Sequence, residues 1–78
     1  MSLTFRVKIV DGDGNPVSGE TVLVVESAIT GPSQSQCTDS DGWAEFEFER
    51  NRLYAYVHVA GEEHHVIVDD GDELSFTI

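Results

Sequence analysis

The sequence predicts an all-β fold, a seven-stranded antiparallel Greek-key β-sandwich. Apolar and polar residues alternate along most of the chain, whereas helical spacing is nearly absent. Clusters of turn formers, DGDGNP, TGPS, TDSDG, ERNR, AGEE and DDGDE, interrupt the alternation at short intervals. The runs between them recur about every 8 to 12 residues, the spacing of sandwich strands.

In TFRVKIV, Phe5, Val7 and Ile9 share one face and Thr4, Arg6 and Lys8 the other, which makes a half-buried strand. ETVLVVE is apolar on both faces, as suits a more central strand from about Thr21 to Glu26, while SQSQCT makes a weak, polar one. WAEFEFE is the clearest, with Ala44, Phe46 and Phe48 inward and Glu45, Glu47 and Glu49 outward. LYAYVHV, HHVIV and ELSFTI complete the set, the last with Leu74, Phe76 and Ile78 on one face. Because consecutive strands reverse direction, the loops at 11–19, 38–42 and 60–63 are expected at one pole. Those at 27–33, 50–52 and 69–72 gather at the other, which sets two of the four basic residues beside an acidic loop. The chain has no internal repeat, low-complexity segment or linker, and residues 1–78 read as one domain excised from a larger protein.

The charge is lopsided: 15 Asp and Glu against 4 Lys and Arg, a formal net charge of -11. Such a surface repels phosphate backbones and anionic headgroups, because binding there depends on Lys and Arg displacing counterions, so nucleic acid and membrane are excluded as partners. No apolar run approaches the roughly 18 residues that span a bilayer. Hydrophobic residues at 40% suffice for a core, though one this small contributes only about 3 to 5 kcal/mol net. Cys37 is the lone cysteine; it can form no intramolecular disulfide and reads as inert packing. MSLTFRVKIV has neither the basic segment nor the small-residue cleavage site of a signal peptide.

VKIVDGDGNPVSGETVLVV followed by TDSDGWAEFEF resembles the carboxypeptidase regulatory-like domains, which have a transthyretin-like (prealbumin-like) sandwich, and related bacterial Ig-like modules. Their pattern is a strand, a D-x-x-G-x-P-V-x-G turn, a Val-rich strand, then T-D-x-x-G-x-A-x-F. Gly14, Pro16, Val17 and Gly19 match the first motif, and Thr38, Asp39, Gly42, Ala44 and Phe46 the second, over about the first two-thirds of the chain. The resemblance implies a prealbumin-like or Ig-like fold and a noncatalytic accessory module, a spacer, stabilising or protein-contact domain of a larger exported or cell-surface protein. Its partners would be flanking domains or another protein, with no cofactor. Physically the motif residues specify corners: Gly14, Gly19 and Gly42 permit positive φ, and Pro16 fixes φ near a turn value. The connection after Val59 is shorter than is common in such domains.

Calcium is the sharpest chemical reading. An EF-hand loop needs oxygen ligands at positions 1, 3 and 5, Gly at 6 and Glu at 12. Counting from Asp11 puts Pro16 and Val22 at the last two, and counting from Asp39 reaches Trp43 at the fifth, so neither loop is an EF-hand. Asp11, Asp13, Asn15, Asp39 and Asp41 nevertheless share a pole, where two loops could coordinate one ion; their bland role is as turn formers. A two-residue Gly61–Glu62 turn would set His58 opposite His65 as a zinc or nickel pair, half of a tetrahedral site, or else as an exposed imidazole pair. Trp43, Tyr54 and Tyr56 are candidates for a contact patch. No Ser, His and acid set is placed for catalysis. From a different class, the alternative function is a calcium-dependent or carbohydrate-binding module working through the acidic pole.

Overall fold

Each alternating run forms a strand: β1 (Leu3–Val10), β2 (Thr21–Glu26), β3 (Ser33–Cys37), β4 (Trp43–Phe48), β5 (Arg52–Val59), β6 (Glu62–Asp69) and β7 (Glu73–Thr77). The computed structural model describes residues 2–27 and 32–78, so most of the loop expected at 27–33 lies outside the described residues. The strands make two sheets, one in the order β4-β1-β7 and one in the order β3-β2-β5-β6. This is the Ig-like β-sandwich that the alternation predicts.

The inward positions of both sheets form one core. Leu3, Phe5, Val7 and Ile9 of β1 are each at most 1% exposed and meet Val22 and Val24 of β2 and Leu53, Val57 and Val59 of β5. Phe5 stacks against Phe46 and Phe48 of the neighbouring strand, with ring centroids 5.4 and 6.2 Å apart. Alternation is strict because a half-buried strand sends successive side chains to opposite faces, and β1 reads buried, half-buried without a break. Toward β7 the core thins: Leu74 and Phe76 are only half-buried and Ile78 is exposed, because β7 is the last strand of its sheet.

One expectation is corrected. The sheets are not wholly antiparallel, since β7 runs parallel to β1, with Val7 opposite Leu74 and Ile9 opposite Phe76. The cause is arithmetic: strands that reverse at every turn leave the first and seventh pointing the same way, and here those two are neighbours. Parallel partners need a connection that crosses over, and β7 is guided to β1 by residues 69–72. The Thr4 N–H donates to Asp70 Oδ1 at 2.8 Å and Gly71 N–H to the Thr4 carbonyl at 2.8 Å, after which Arg6 N–H donates to the Asp72 carbonyl at 3.1 Å.

Two substitutions on β4 test the register. Phe46→Ala removes a fully buried ring and is expected to cost about 3 to 5 kcal/mol in denaturant unfolding. Glu47→Ala, whose side chain is exposed on the other face, is expected to change stability by less than about 0.5 kcal/mol. Equal losses at the two positions would refute the assigned faces.

Candidate functional site

The acidic pole is built from two copies of one corner. Asp11-Gly-Asp-Gly-Asn15 and Asp39-Ser-Asp-Gly-Trp43 share the spacing D-x-D-G-x. In the first, Asp11 Oδ1 accepts the N–H groups of Asp13 at 2.9 Å and Asn15 at 3.0 Å, while Asp11 N–H donates to the Asn15 carbonyl at 2.9 Å. In the second, Asp39 Oδ1 accepts the N–H groups of Asp41 at 2.8 Å and Trp43 at 3.0 Å, and Asp39 N–H donates to the Trp43 carbonyl at 2.9 Å. The fourth residue of each is a left-handed glycine, Gly14 at φ 84° and Gly42 at φ 82°. These are three-residue turns closed by a glycine bulge. The carboxylates of Asp11 and Asp39 thus hold backbone donors. At Asp39, hydrogen bonds from Trp43 and then Asp41 hold the carboxyl below its ordinary pKa. The loops at 11–19 and 38–42 do share a pole, but among the described residues no three His, Cys, Asp or Glu side chains converge as a metal-binding group.

Thr38, which the sequence marks only as a residue of the second turn motif, is a buried polar group. At 5% exposure, its hydroxyl donates to the Val17 carbonyl at 2.6 Å and accepts Glu20 N–H at 2.9 Å, and its own N–H donates to the Glu20 carbonyl at 2.9 Å. It ties the first crossing between sheets to the third loop. Gly42 sits beneath: its carbonyl accepts Ile9 N–H at 2.8 Å, and a Cβ there would lie 2.7 Å from the Ile9 carbonyl oxygen and 3.0 Å from Pro16 Cβ. Pro16 bridges Val10 just above.

The histidine expectation is corrected. His58 faces Glu63, and His65 faces Tyr56, because the hairpin turns on Ala60 and Gly61 and not on Gly61 and Glu62. Both turn residues have positive φ, 52° and 79°, as a two-residue hairpin of the right twist requires. Putting glycine second shifts the pairing by two residues and leaves His58 diagonal to His65 on the outer face. His65 instead packs edge-on to Tyr56 at 4.3 Å, and His64 points inward and stacks on Phe76 at 4.5 Å.

The aromatic patch is divided. Tyr54 and Tyr56 lie on the outer face of the four-stranded sheet. Trp43 belongs to β4 on the other sheet, where Arg6 and Lys8 cover its ring at 4.3 and 5.3 Å from the centroid. Period-two alternation gives the side of a strand and not the sheet to which it belongs, so the three residues could not be separated from sequence. Cys37, expected in the packing, is exposed.

At the opposite pole Glu26 occupies an inward position of β2, after Val22 and Val24, and is 8% exposed. Arg50, beyond the end of β4, grips it with both arms: Nε donates to Oε2 at 2.6 Å and the second guanidinium nitrogen to Oε1 at 2.7 Å. Glu26 thereby holds the Arg50 pKa above its usual range. Of the two basic residues expected beside the acidic loop, Arg52 does reach Asp69 at 2.9 Å.

A family model, macroglobulin domain MG4, matches residues 1–68, a span from β1 into β6. It supports an Ig-like β-sandwich and does not extend to the carboxypeptidase regulatory-like family. No curated protein matches the chain.

Two measurements check the acidic pole. Gly14→Ala meets open space and is expected to cost about 1 to 2 kcal/mol for the left-handed backbone alone. Gly42→Ala must also displace backbone, so its midpoint in urea should fall well below that of Gly14→Ala; equal midpoints would show that the close approach is unimportant. Millimolar calcium is expected to raise the melting temperature no more than sodium chloride of matched ionic strength, since both only screen carboxylates. A calcium-selective rise in wild type, of the size a site at hundredfold saturation gives (about 2.7 kcal/mol), and absent in Asp13→Asn with Asp39→Asn, would establish a composite site.

Proposed function

The chain belongs to the macroglobulin domain MG4 family, and on that premise we propose that it is a noncatalytic accessory module, stabilising and making contact within a larger exported or cell-surface protein. The observation that carries this reading is the match across 68 residues to a family of accessory domains found within larger multidomain proteins. Its physical support is the use made of the polar side chains. Asp11, Asp39 and Thr38 hold backbone groups, Glu26 holds Arg50, and Asp69 holds Arg52. Side chains committed to holding a turn or an opposite charge are not free to act on a substrate. Trp43, beneath two cations, serves the same sheet.

Calorimetry of the parent protein tests this. Phe46→Ala, introduced there, is expected to unfold the module and to lower the melting transition of a flanking domain by several degrees, whereas Glu47→Ala leaves both unchanged. Flanking transitions that ignore the loss of the module would overturn a stabilising role.

A further inference from the structure

The two edges of the three-stranded sheet are finished differently. β4 carries Glu45 and Glu47 outward, and the Gln34 side chain of β3 donates to the Glu47 carbonyl, so that edge is guarded. β7 runs Leu74-Ser75-Phe76-Thr77 in unbroken register with β1, without charge or proline. Its backbone is half used. The Asp72 carbonyl accepts Arg6 N–H at 3.1 Å and Ile78 N–H donates to the Val10 carbonyl at 2.9 Å, which sets the even-numbered residues of this parallel ladder toward β1. Glu73, Ser75 and Thr77 therefore turn their N–H and C=O groups outward, where no strand among the described residues meets them. The core is thin at the same place: Leu74 and Phe76 are half-buried, as is Val66 of β6, and Ile78 is 37% exposed. β7 also lies beyond residue 68, outside the family match.

We propose that the free edge of β7 binds an extended segment of a partner protein, apolar at alternate residues and basic at both ends, which adds to the three-stranded sheet as its fourth strand. A strand is the structure that presents N–H and C=O groups at the spacing Glu73, Ser75 and Thr77 require. Every second side chain of such a strand falls on the inward face, where apolar groups cover Leu74, Phe76 and Ile78. Charge sets the ends. Asp69, Asp70, Asp72 and Glu73 lie where β7 begins and outnumber the arginines that pair among them, Arg52 and Arg6. Where β7 finishes, Thr77 stands opposite Val10, and Asp11 and Asp13 follow. The same charges disfavour a second copy: with both ends acidic, β7 pairing with itself in either direction sets carboxylates against carboxylates. Lys or Arg at each end of the segment meets them instead. The inference stands apart from the accessory role, since a module whose edge binds nothing can still support its neighbours.

Amide exchange followed by NMR tests it, with the peptide Lys-Val-Thr-Val-Thr-Val-Lys, blocked at both termini, as the probe. In the 78-residue chain alone, the Ser75 and Thr77 amides are expected to exchange freely while those of Leu74 and Phe76 are protected by β1. Saturating peptide in low salt is expected to slow exchange at Ser75 and Thr77 at least about tenfold. Glu-Val-Thr-Val-Thr-Val-Glu is expected to bind at least about tenfold more weakly, and the difference to shrink in about 0.5 M sodium chloride. N-methylation of one alternate set of peptide amides should abolish binding and of the other set leave it, because only one set faces β7. Ser75→Pro removes a donor that β1 does not use, a substitution edge strands accept; it is expected to keep the wild-type circular dichroism and lose the peptide. The methylated peptides test the wild-type chain whether or not that variant folds. Absence of binding, binding that leaves Ser75 and Thr77 unprotected, or indifference to peptide charge or to which amides are methylated overturns the proposal. Protection of Ser75 and Thr77 before any peptide is added, in a chain that sediments as a dimer, assigns the edge to a second copy and overturns it as well.

Discussion

The sandwich depends on a place where three stretches of backbone lie too close together for a side chain. Gly42 rests against the Ile9 carbonyl and the ring of Pro16, Ile9 bonds to both Gly42 and Val17, and Thr38 pins Val17 and Glu20 from the side. Through this knot the end of β1 is joined to the start of β4 within one sheet, and to the entry of β2 and exit of β3 in the other. Side chains from both sheets can interdigitate as a close-packed core only if the sheets are set at a fixed offset. The knot sets it, because a shift of one residue on β1 would carry Phe5 and Val7 out to solvent.

What could be read from residues alone follows from which physical signals are local. Alternation is local, so all seven strands and the inward residues Phe5, Val7 and Phe46 were readable. The turn motifs marked Gly42 and Thr38 as special, although that Thr38 would bond three ways across a crossing could not be seen in a four-residue window. Sheet membership is not local. It separated Trp43 from Tyr54 and Tyr56 and made β1 and β7 parallel neighbours. The hairpin after Val59 was misplaced by one residue because Ala60 does not look like a residue with positive φ; its strained backbone is imposed by the pairing on either side. The inward charge of Glu26 was in principle visible, since it shares the phase of Val22 and Val24, but its partner Arg50 lies 24 positions on, in the loop between β4 and β5.

Charge gives the molecule two unlike sides. The three-stranded sheet carries mixed charge outward, with Arg6 and Lys8 over Trp43 and an ion pair from Arg6 to Glu73. These exposed pairs add little stability individually, but with the surrounding glutamates they keep that face hydrated. The edge of β4 carries Glu45 and Glu47, which discourage another strand from adding to it. On the broad face of the four-stranded sheet acidic residues stand only near the two ends of β6, at Glu63 and Asp69.

The grip of Arg50 on Glu26 has a consequence for how the sequence can change over time. Glu26 ends β2 of the four-stranded sheet and Arg50, 24 positions on, lies in the loop between β4 and β5, at the pole away from the motif corners. Losing Arg50 alone would strand a carboxylate among apolar side chains, and losing Glu26 alone would leave a guanidinium against the mouth of the core, so either single step is harmful. An apolar pair of matching volume could fill the same space. The positions therefore form one unit of inheritance, and homologous chains should be found either with both charges or with neither.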